Sequence, residues 1–275
     1  SVDKPWGVHL TIPVVVTPLC HADVCWTRTG SMMSKEQWTF RQSDFGTFNA
    51  CPEHLRRNIY EPRPQPVNSD QTRGNVCHAV FEEIGQRVLD GHTPLMDDVN
   101  AVAGWHVDRL FPTVDEWKSP KERIEASVYA NVEGWFFDIL PKLSLTAVER
   151  QFRVKFDETD EYEVWLTGTP DVEDAKLGVV DYKCPGEFRM KSNGKPGRED
   201  WHHERWDMQS HVYTWVAAYD DDDFDSEREF HRVEIVEGDH HWLTIRRGPE
   251  HWAALRDYVH GVVELQRANL TVWPQ

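Results

Sequence analysis

The stretch "GTPDVEDAKLGVVDYKCPG", residues 168–186, decides the fold because charged side chains interrupt two short apolar runs. Asp171 ends the run "VWLTGTPD", Asp181 ends the run "LGVVD", and Lys183 follows two residues later. The intervening "VEDAKLG" is typical of a turn, so the stretch predicts a β-hairpin with the two aspartates side by side on neighbouring strands. Burying such charges costs several kcal/mol unless something pairs with them.

A divalent cation accounts for this charge pattern. Two carboxylates held close together repel each other, and one of them stays protonated near neutral pH unless a cation lies between them. Mg²⁺ or Mn²⁺ meets this need because hard cations take oxygen ligands. Strand alternation places Lys183 on the same face as Asp181, where an ammonium group assists metal-dependent hydrolysis. The alternative is a pair of surface aspartates with a salt-bridged lysine, because so short a motif often occurs by chance.

Two predicted helices carry further candidate residues at a spacing of four, which places both members of each pair on one helix face. His78 and Glu82 fit a third metal ligand with a supporting carboxylate, or else a His–Glu pair on a helix surface. Gln209 and Tyr213 fit side chains that hold a phosphate or nucleotide, or else residues partly buried at a helix edge.

A short basic segment follows the hairpin. The stretch "RMKSNGKPGR", residues 189–198, has no acidic residue and contains four cations: Arg189, Lys191, Lys195 and Arg198. In a chain of net charge −17 it is the predicted contact with a polyanion such as DNA. An ordinary flexible loop is the alternative.

Composition limits the possible functions. The chain has 275 residues, 39% of them hydrophobic, which is enough for a packed core. The net charge of −17 opposes non-specific nucleic-acid binding by the surface as a whole, so such contact needs a local basic patch or metal ions. The five cysteines are an odd number without framework spacing, which favours a reduced cytosolic protein. Because no run is long enough to span a bilayer, we expect no membrane association.

The order of predicted elements indicates a mixed α/β domain with helices packed on a sheet. Residues 1–45 are predicted to form an irregular arm, and residues 46–275 the folded domain. Within that domain the apolar spacing predicts helices and strands in this order: helices at 45–61, 73–89 and 120–140; strands at 147–156, 161–174 and 177–183; a helix at 202–219; a hairpin at 231–247 turning near Gly238; and a helix at 248–269.

The joint order of several motifs resembles the RecB-like branch of the PD-(D/E)XK nuclease superfamily. The motifs are "FNACPEHLRRNIY", "GNVCHAVFEEI", "VERQF", "GTPDVED", "VVDYKCPG" and "QSHVY", and together they span about residues 45–215. Within that branch the chain is most similar to the stand-alone exonucleases associated with CRISPR systems and phages. The family fold implied is restriction-endonuclease-like, with a central mixed sheet flanked by helices.

The resemblance also implies roles for individual residues. His78, Asp171 and Asp181 would bind the catalytic metal, and the backbone carbonyl of Tyr182 would complete the protein ligands. Lys183 would be the catalytic lysine. Gln209 and Tyr213 match the motif that follows it in this branch, and Glu149 falls where many members carry a glutamate before the sheet.

The implied activity is that of a Mg²⁺- or Mn²⁺-dependent deoxyribonuclease, an exonuclease acting on DNA ends. Its setting would be recombination, repair, phage replication or CRISPR-related processing in the cytoplasm of a bacterial, archaeal or phage-infected cell. Two alternatives remain open at this point: a non-catalytic accessory that binds DNA ends, and an endonuclease subunit active only in a larger complex. A helicase, a recombinase or an integration-complex protein is the kind of partner expected.

The cysteines depart from the pattern of many relatives, which hold an iron–sulfur cluster with one cysteine before the histidine helix and three near the C-terminus. Cys51 matches the first, but no cysteine follows Cys184, and four thiolates are needed. We therefore expect no cluster in the chain as given, truncation being the alternative. A zinc site is a further alternative, built from Cys20, His21, Cys25 and Cys51. Cys77 is predicted to be a packed core thiol, and Cys184 a strand residue rather than a nucleophile.

Overall fold

A computed structural model describes residues 35–51, 55, 65–186, 188 and 201–272 of the chain. Its β-strands are β1 (Glu36–Arg41), β2 (Leu145–Val148), β3 (Phe152–Glu158), β4 (Tyr162–Gly168), β5 (Val172–Asp174), β6 (Gly178–Lys183), β7 (Arg228–Val236) and β8 (Asp239–Arg247). Its α-helices are α1 (Gln42–Ala50), α2 (Ser69–Leu89), α3 (Met96–Leu110), α4 (Lys121–Gly134), α5 (Trp201–Asp220) and α6 (Pro249–Val272).

The larger sheet has five strands in the order β2-β5-β6-β7-β8. Strand β6 pairs in parallel with β7, whereas the other neighbouring pairs are antiparallel. The parallel pairing follows from α5, because a crossover helix joins β6 to β7 and returns the chain in the same direction. Helices α2, α3 and α4 pack on one face of this sheet through a buried aliphatic and aromatic cluster. The predicted mixed α/β class is confirmed.

The smaller sheet has three strands in the order β1-β4-β3, with β1 parallel and β3 antiparallel to β4. Its inner face is apolar, and α5 and α6 belong to the same buried cluster. Trp38 and Phe40 of β1 are part of it. Residues 36–45, which the sequence analysis assigned to an irregular arm, therefore hold a strand and the start of α1; residues 1–34 lie outside the described residues.

Several predicted elements match the structure and others shift. Helices α2, α5 and α6 and the β7–β8 hairpin are confirmed, with the hairpin turn at Gly238, whose φ of +91° suits glycine. The predicted strand 161–174 is wrong as one element, because the buried Pro170 lacks an amide donor and separates β4 from β5. The predicted helix at 120–140 ends earlier as an α-helix and continues through a π turn and a 3-10 turn. Helix α3 was not predicted.

Helix α4 approaches the β7–β8 turn so closely that only glycine fits at position 134. A Cβ atom there would lie 2.2 Å from the carbonyl oxygen of Gly238. We expect Gly134→Ala to lower the free energy of unfolding by about 1–3 kcal/mol, the usual cost of overpacking. Urea unfolding followed by circular dichroism measures the change.

The matched control is Gly261→Ala within α6. No heavy atom of the described residues lies within 4 Å of a Cβ built at Gly261, helix backbone apart. This substitution should stabilise the protein by up to about 1 kcal/mol through helix propensity. Equal effects of the two substitutions would contradict the close packing of α4 on the turn.

Candidate metal centre

Helix α2 carries His78 to the edge of the larger sheet. The helix starts at the Asn68 cap, whose side chain accepts a hydrogen bond from the amide of Gln71 at 2.9 Å. Val76, Val80 and Ile84, spaced four apart, are fully buried, which fixes the rotation of the helix. His78 lies beside this stripe with 27% of its side chain exposed, and its Nδ1 is 3.4 Å from Oδ1 of Asp171.

Asp171 occupies the break between β4 and β5. Its Oδ2 accepts a hydrogen bond of 2.6 Å from the backbone amide of Tyr182 on β6. The backbone carbonyl of Asp171 in turn accepts from the amide of Glu149 at 3.1 Å. The Tyr182 side chain is buried against Phe81 and Trp135, so only its backbone faces this site. These contacts hold the Asp171 carboxylate in one orientation.

Asp181 and Lys183 lie on one face of β6, as strand alternation predicts. The Lys183 Nζ is 2.6 Å from Oδ2 and 2.7 Å from Oδ1 of Asp181. The Asp181 side chain is 2% exposed and the Lys183 side chain 32% exposed. The lysine therefore covers the carboxylate and keeps its own ammonium group within reach of solvent.

Glu149 joins the site although the sequence analysis assigned it only by resemblance. One ligand atom each from His78, Glu149 and Asp171 lies within 4.8 Å of the others. Glu149 has a φ of +48°, which is rare for a residue other than glycine and is found where surrounding structure imposes it. Imidazole and carboxylate donors at this spacing fit a divalent cation.

The electrostatics show an excess of negative charge in this cluster. Burial, together with the neighbouring Asp171, raises the pKa of Glu149 to about 7. Burial likewise raises the pKa of Asp181, even though Lys183 favours its charged form. At Asp171, burial is outweighed by the charges of His78 and Lys183, which hold the pKa below its usual value. A bound cation would relieve the same repulsion, so the residues fit a metal.

Helix α5 supports both aspartates from the face of the larger sheet that is opposite to helix α2. Gln209 is 7% exposed, and its Nε2 donates a 2.6 Å hydrogen bond to Oδ1 of Asp181. The Tyr213 hydroxyl donates to the carbonyl of Thr169 at 3.1 Å and lies 3.4 Å from Nε2 of Gln42. Gln209 thus touches the predicted site directly, whereas Tyr213 holds the chain two residues before Asp171.

The structure sets His78 and Glu149 against Asp171, which also binds the backbone amide of Tyr182. It sets Asp181 against Lys183 and Gln209, and Asp181 is not among the three described residues whose ligand atoms converge. Tyr213 is one contact further away, at the carbonyl of Thr169. Glu82 is exposed on α2 and acts on Glu149 only through its charge. The four predicted DNA-binding residues, Arg189, Lys191, Lys195 and Arg198, lie outside the described residues, as do Cys20, His21 and Cys25. Cys77 and Cys184 are buried thiols, and Cys51 is exposed.

Sequence reasoning missed a buried ion pair on β7. Arg232 and Glu234 stand beside Asp181 and Lys183 in the β6–β7 register. Their side chains are 1% and 0% exposed, with 3.8 Å between Arg232 Nε and Glu234 Oε1. The signal was present in "HRVEIV", where charges interrupt an apolar strand as they do in "VVDYK".

Comparison with known proteins agrees with this geometry. The family model of the PD-(D/E)XK nuclease superfamily matches residues 39–273. The chain belongs to this superfamily, and its mixed α/β architecture is the restriction-endonuclease-like fold. A search of curated proteins gives no match.

Among solved structures, the chain is similar to a "Putative exonuclease" from Eubacterium rectale. The TM-score is 0.49 at 11% sequence identity, and the match covers 84% of this chain and 80% of the other. A likeness this distant says nothing about activity. In the described part of the chain, no helix combines the length and hydrophobicity of a membrane crossing.

The pKa of Glu149 predicts a pH dependence of the metal-free protein. The folded chain holds this proton up to about pH 7, whereas the ordinary value is 4.5. The proton on Glu149 therefore stabilises the folded state at low pH. This stabilisation is lost as the pH rises from about 4.5 to about 7. Relative to wild type, Glu149→Gln should gain stability across that window, as urea unfolding in chelator would measure.

Glu250→Gln provides a control for removing one negative charge, because the side chain of Glu250 is 88% exposed. A wild-type and a Glu149→Gln protein with parallel stability–pH curves would contradict the burial of Glu149.

The buried ion pair predicts a second stability effect. Arg232→Leu leaves the Glu234 carboxylate buried without this cation, and such removals cost about 3–5 kcal/mol. Arg246→Gln is the matched control, because Arg246 pairs with Glu229 at 2.7 Å on the exposed surface, where a pair contributes about 0–1 kcal/mol. Thermal unfolding that ranked the control as the more damaging variant would rule out this account.

Proposed function

We propose that the chain is a metal-dependent deoxyribonuclease that degrades DNA from its ends. The observation that carries the proposal is the convergence of His78, Glu149 and Asp171 within 4.8 Å, beside the Asp181–Lys183 pair. Membership of the nuclease superfamily supports hydrolysis of a phosphodiester bond. The preference for ends rests on the resemblance to stand-alone RecB-like exonucleases described above.

The proposed ligands of Mg²⁺ or Mn²⁺ are His78, Asp171, Asp181 and the backbone carbonyl of Tyr182, with Glu149 as an additional carboxylate. When bound, a divalent cation supplies Lewis-acid stabilisation of the phosphoryl oxygens and lowers the pKa of coordinated water. The protein's own part is to hold these donors close together before the substrate arrives.

Lys183 places a positive charge at the solvent-facing side of the Asp181 carboxylate. An ammonium group held there stabilises the negative charge that develops on the phosphate during hydrolysis. Gln209 fixes Asp181 through its 2.6 Å hydrogen bond, and Tyr213 fixes the backbone that precedes Asp171. Both are positioning residues in this mechanism, since neither hydroxyl nor amide needs to touch the substrate.

The biological setting we propose is recombination, repair, phage replication or CRISPR-related processing. A helicase, recombinase or integration-complex partner would supply basic surface, which a chain of net charge −17 offers only locally. A bacterial, archaeal or phage-infected cytoplasm is the matching location.

Activity and end dependence are tested together on end-labelled linear DNA and covalently closed circular DNA, each with millimolar Mn²⁺ or Mg²⁺. We expect the linear DNA to be degraded and the circle to persist, with activity abolished by chelator. Cleavage of the circle at the same rate would show that the protein is an endonuclease rather than an exonuclease. An inert protein that also fails to bind Mn²⁺ in calorimetry would support the non-catalytic accessory instead.

Lys183→Ala should lower the cleavage rate by at least about 100-fold, the usual effect of removing an electrostatic stabiliser. Lys176→Ala is the matched control, because Lys176 is an exposed lysine in the turn of the same hairpin. Mn²⁺ calorimetry with Asp171→Ala should show weakened binding. Normal cleavage by Lys183→Ala would contradict the role of this lysine.

A further inference from the structure

The outer face of the three-stranded sheet carries several basic residues, which is unusual in a chain of net charge −17. Alternate residues of these strands point away from the core, and we define the outer face by Thr39, Arg41, Arg153, Lys155, Trp165 and Thr167, which are exposed or partly exposed. The register sets Arg41 and Arg153 on either side of Thr167, and Thr39 and Lys155 on either side of Trp165. The face thus carries three cations and one tryptophan, together with Glu163, whose Oε2 accepts a 3.2 Å hydrogen bond from Nε1 of Trp165.

Two of these cations lack a salt bridge within the described residues, although the charge of Arg41 acts on the nearby Asp44. Arg41 and Arg153 form no salt bridge there, and the Arg153 guanidinium lies 4.1 Å from the centroid of the Trp165 ring. Lys155 pairs with Glu158 and, at 3.5 Å, with Glu163. The positive charge is therefore concentrated at the end of the face that carries Arg41 and Arg153.

That end of the face adjoins the metal centre. Arg153 of β3 and Glu149 are four residues apart across the break between β2 and β3, and Thr167 of β4 and Asp171 are four residues apart across the break between β4 and β5. Four extended residues span at most about 14 Å. On the third strand, Arg41 precedes Gln42, whose side chain lies 3.4 Å from the Tyr213 hydroxyl. At this end of the face the chain leaves β3 and β4 toward Glu149 and Asp171, and it leaves β1 toward Tyr213.

We propose that the outer face binds a single strand of DNA and leads it to the metal centre. This inference rests on the proposed nuclease function and adds the form of the substrate. Arg41 and Arg153 complement the phosphates, and the upper limit of about 14 Å between Arg153 and Glu149 leaves room for at most about four nucleotides of a stacked strand. The Arg153 guanidinium, supported by the Trp165 ring beneath it, offers a surface on which an unpaired base stacks.

The test measures binding apart from cleavage. A fluorescently labelled single strand of about 20 nucleotides is titrated with full-length protein in chelator at low salt, and anisotropy gives the affinity. Trp165→Thr should weaken binding at least about fivefold through loss of stacking. Arg153→Gln and Arg41→Gln should each weaken binding and reduce the slope of log affinity against log salt by about 0.7.

The control is a second surface tryptophan with the same local chemistry. Trp105 on α3 is 56% exposed, and the Arg109 guanidinium lies 4.5 Å from its ring centroid. Trp105→Thr and Arg109→Gln should bind DNA as wild type does. Thermal unfolding of every variant shows that the comparison is between folded proteins.

The outcomes separate this inference from the proposed function. Unchanged affinity in Trp165→Thr and Arg153→Gln, equal losses in the Trp105 control, or no binding by wild type would each overturn it. The same titration is repeated with a blunt duplex of the same sequence. If the variants lose affinity for the duplex alone, the assignment of a single-stranded substrate is overturned. Failure of the proposed function shows differently, as binding in chelator without cleavage when metal is added.

Discussion

The structure depends on one constraint: strand β6 is buried on both faces, and one of those faces carries charge. Val180, Tyr182 and Cys184 enter the aliphatic core beneath α2 and α4. On the opposite face, Asp181 is nearly sealed from solvent and must be compensated. Lys183, Gln209 and the neighbouring Arg232 meet that need from three different elements. The order of strands, the parallel β6–β7 pairing and the position of α5 all serve this arrangement, because each brings one compensating group to the same carboxylate.

Compensation of this kind rarely adds stability. A buried ion pair recovers little more than the cost of removing its two charges from water, and hydrophobic replacements are often as stable. By the same reasoning, strands β6 and β7 with apolar residues at positions 181, 183, 232 and 234 would be about as stable as the charged strands. The retained charges are therefore better explained by the site than by the fold, and the strained backbone of Glu149 at the rim of the same cluster agrees with that view.

The candidate site residues predicted from the sequence are those that interrupt a local pattern. Asp171, Asp181 and Lys183 stand out in "PDVEDAKLGVVDYK" because charge breaks an apolar alternation, and His78 stands beside a regular helical stripe. Glu149 shows no such interruption, since its role comes from a kink that only the folded hairpin makes. Strand β1 was missed for a related reason: its short alternation becomes a strand through parallel pairing with β4, more than 100 residues later. Local periodicity does not contain that contact.

Charge distribution links the metal centre with the outer face of the smaller sheet. An acidic surface repels DNA at long range, and in cellular salt that repulsion fades beyond about 8 Å. In the proposed mechanism, capture would depend on cations close to the metal centre, namely Lys183, the arginines of the outer face and a bound divalent ion. The chain from β2 to β5 joins these groups covalently: the breaks between its strands carry Glu149 and Asp171, and strands β3 and β4 carry Arg153 and Trp165. If both proposals hold, one continuous stretch of chain would set the distance between the DNA-binding face and the metal centre.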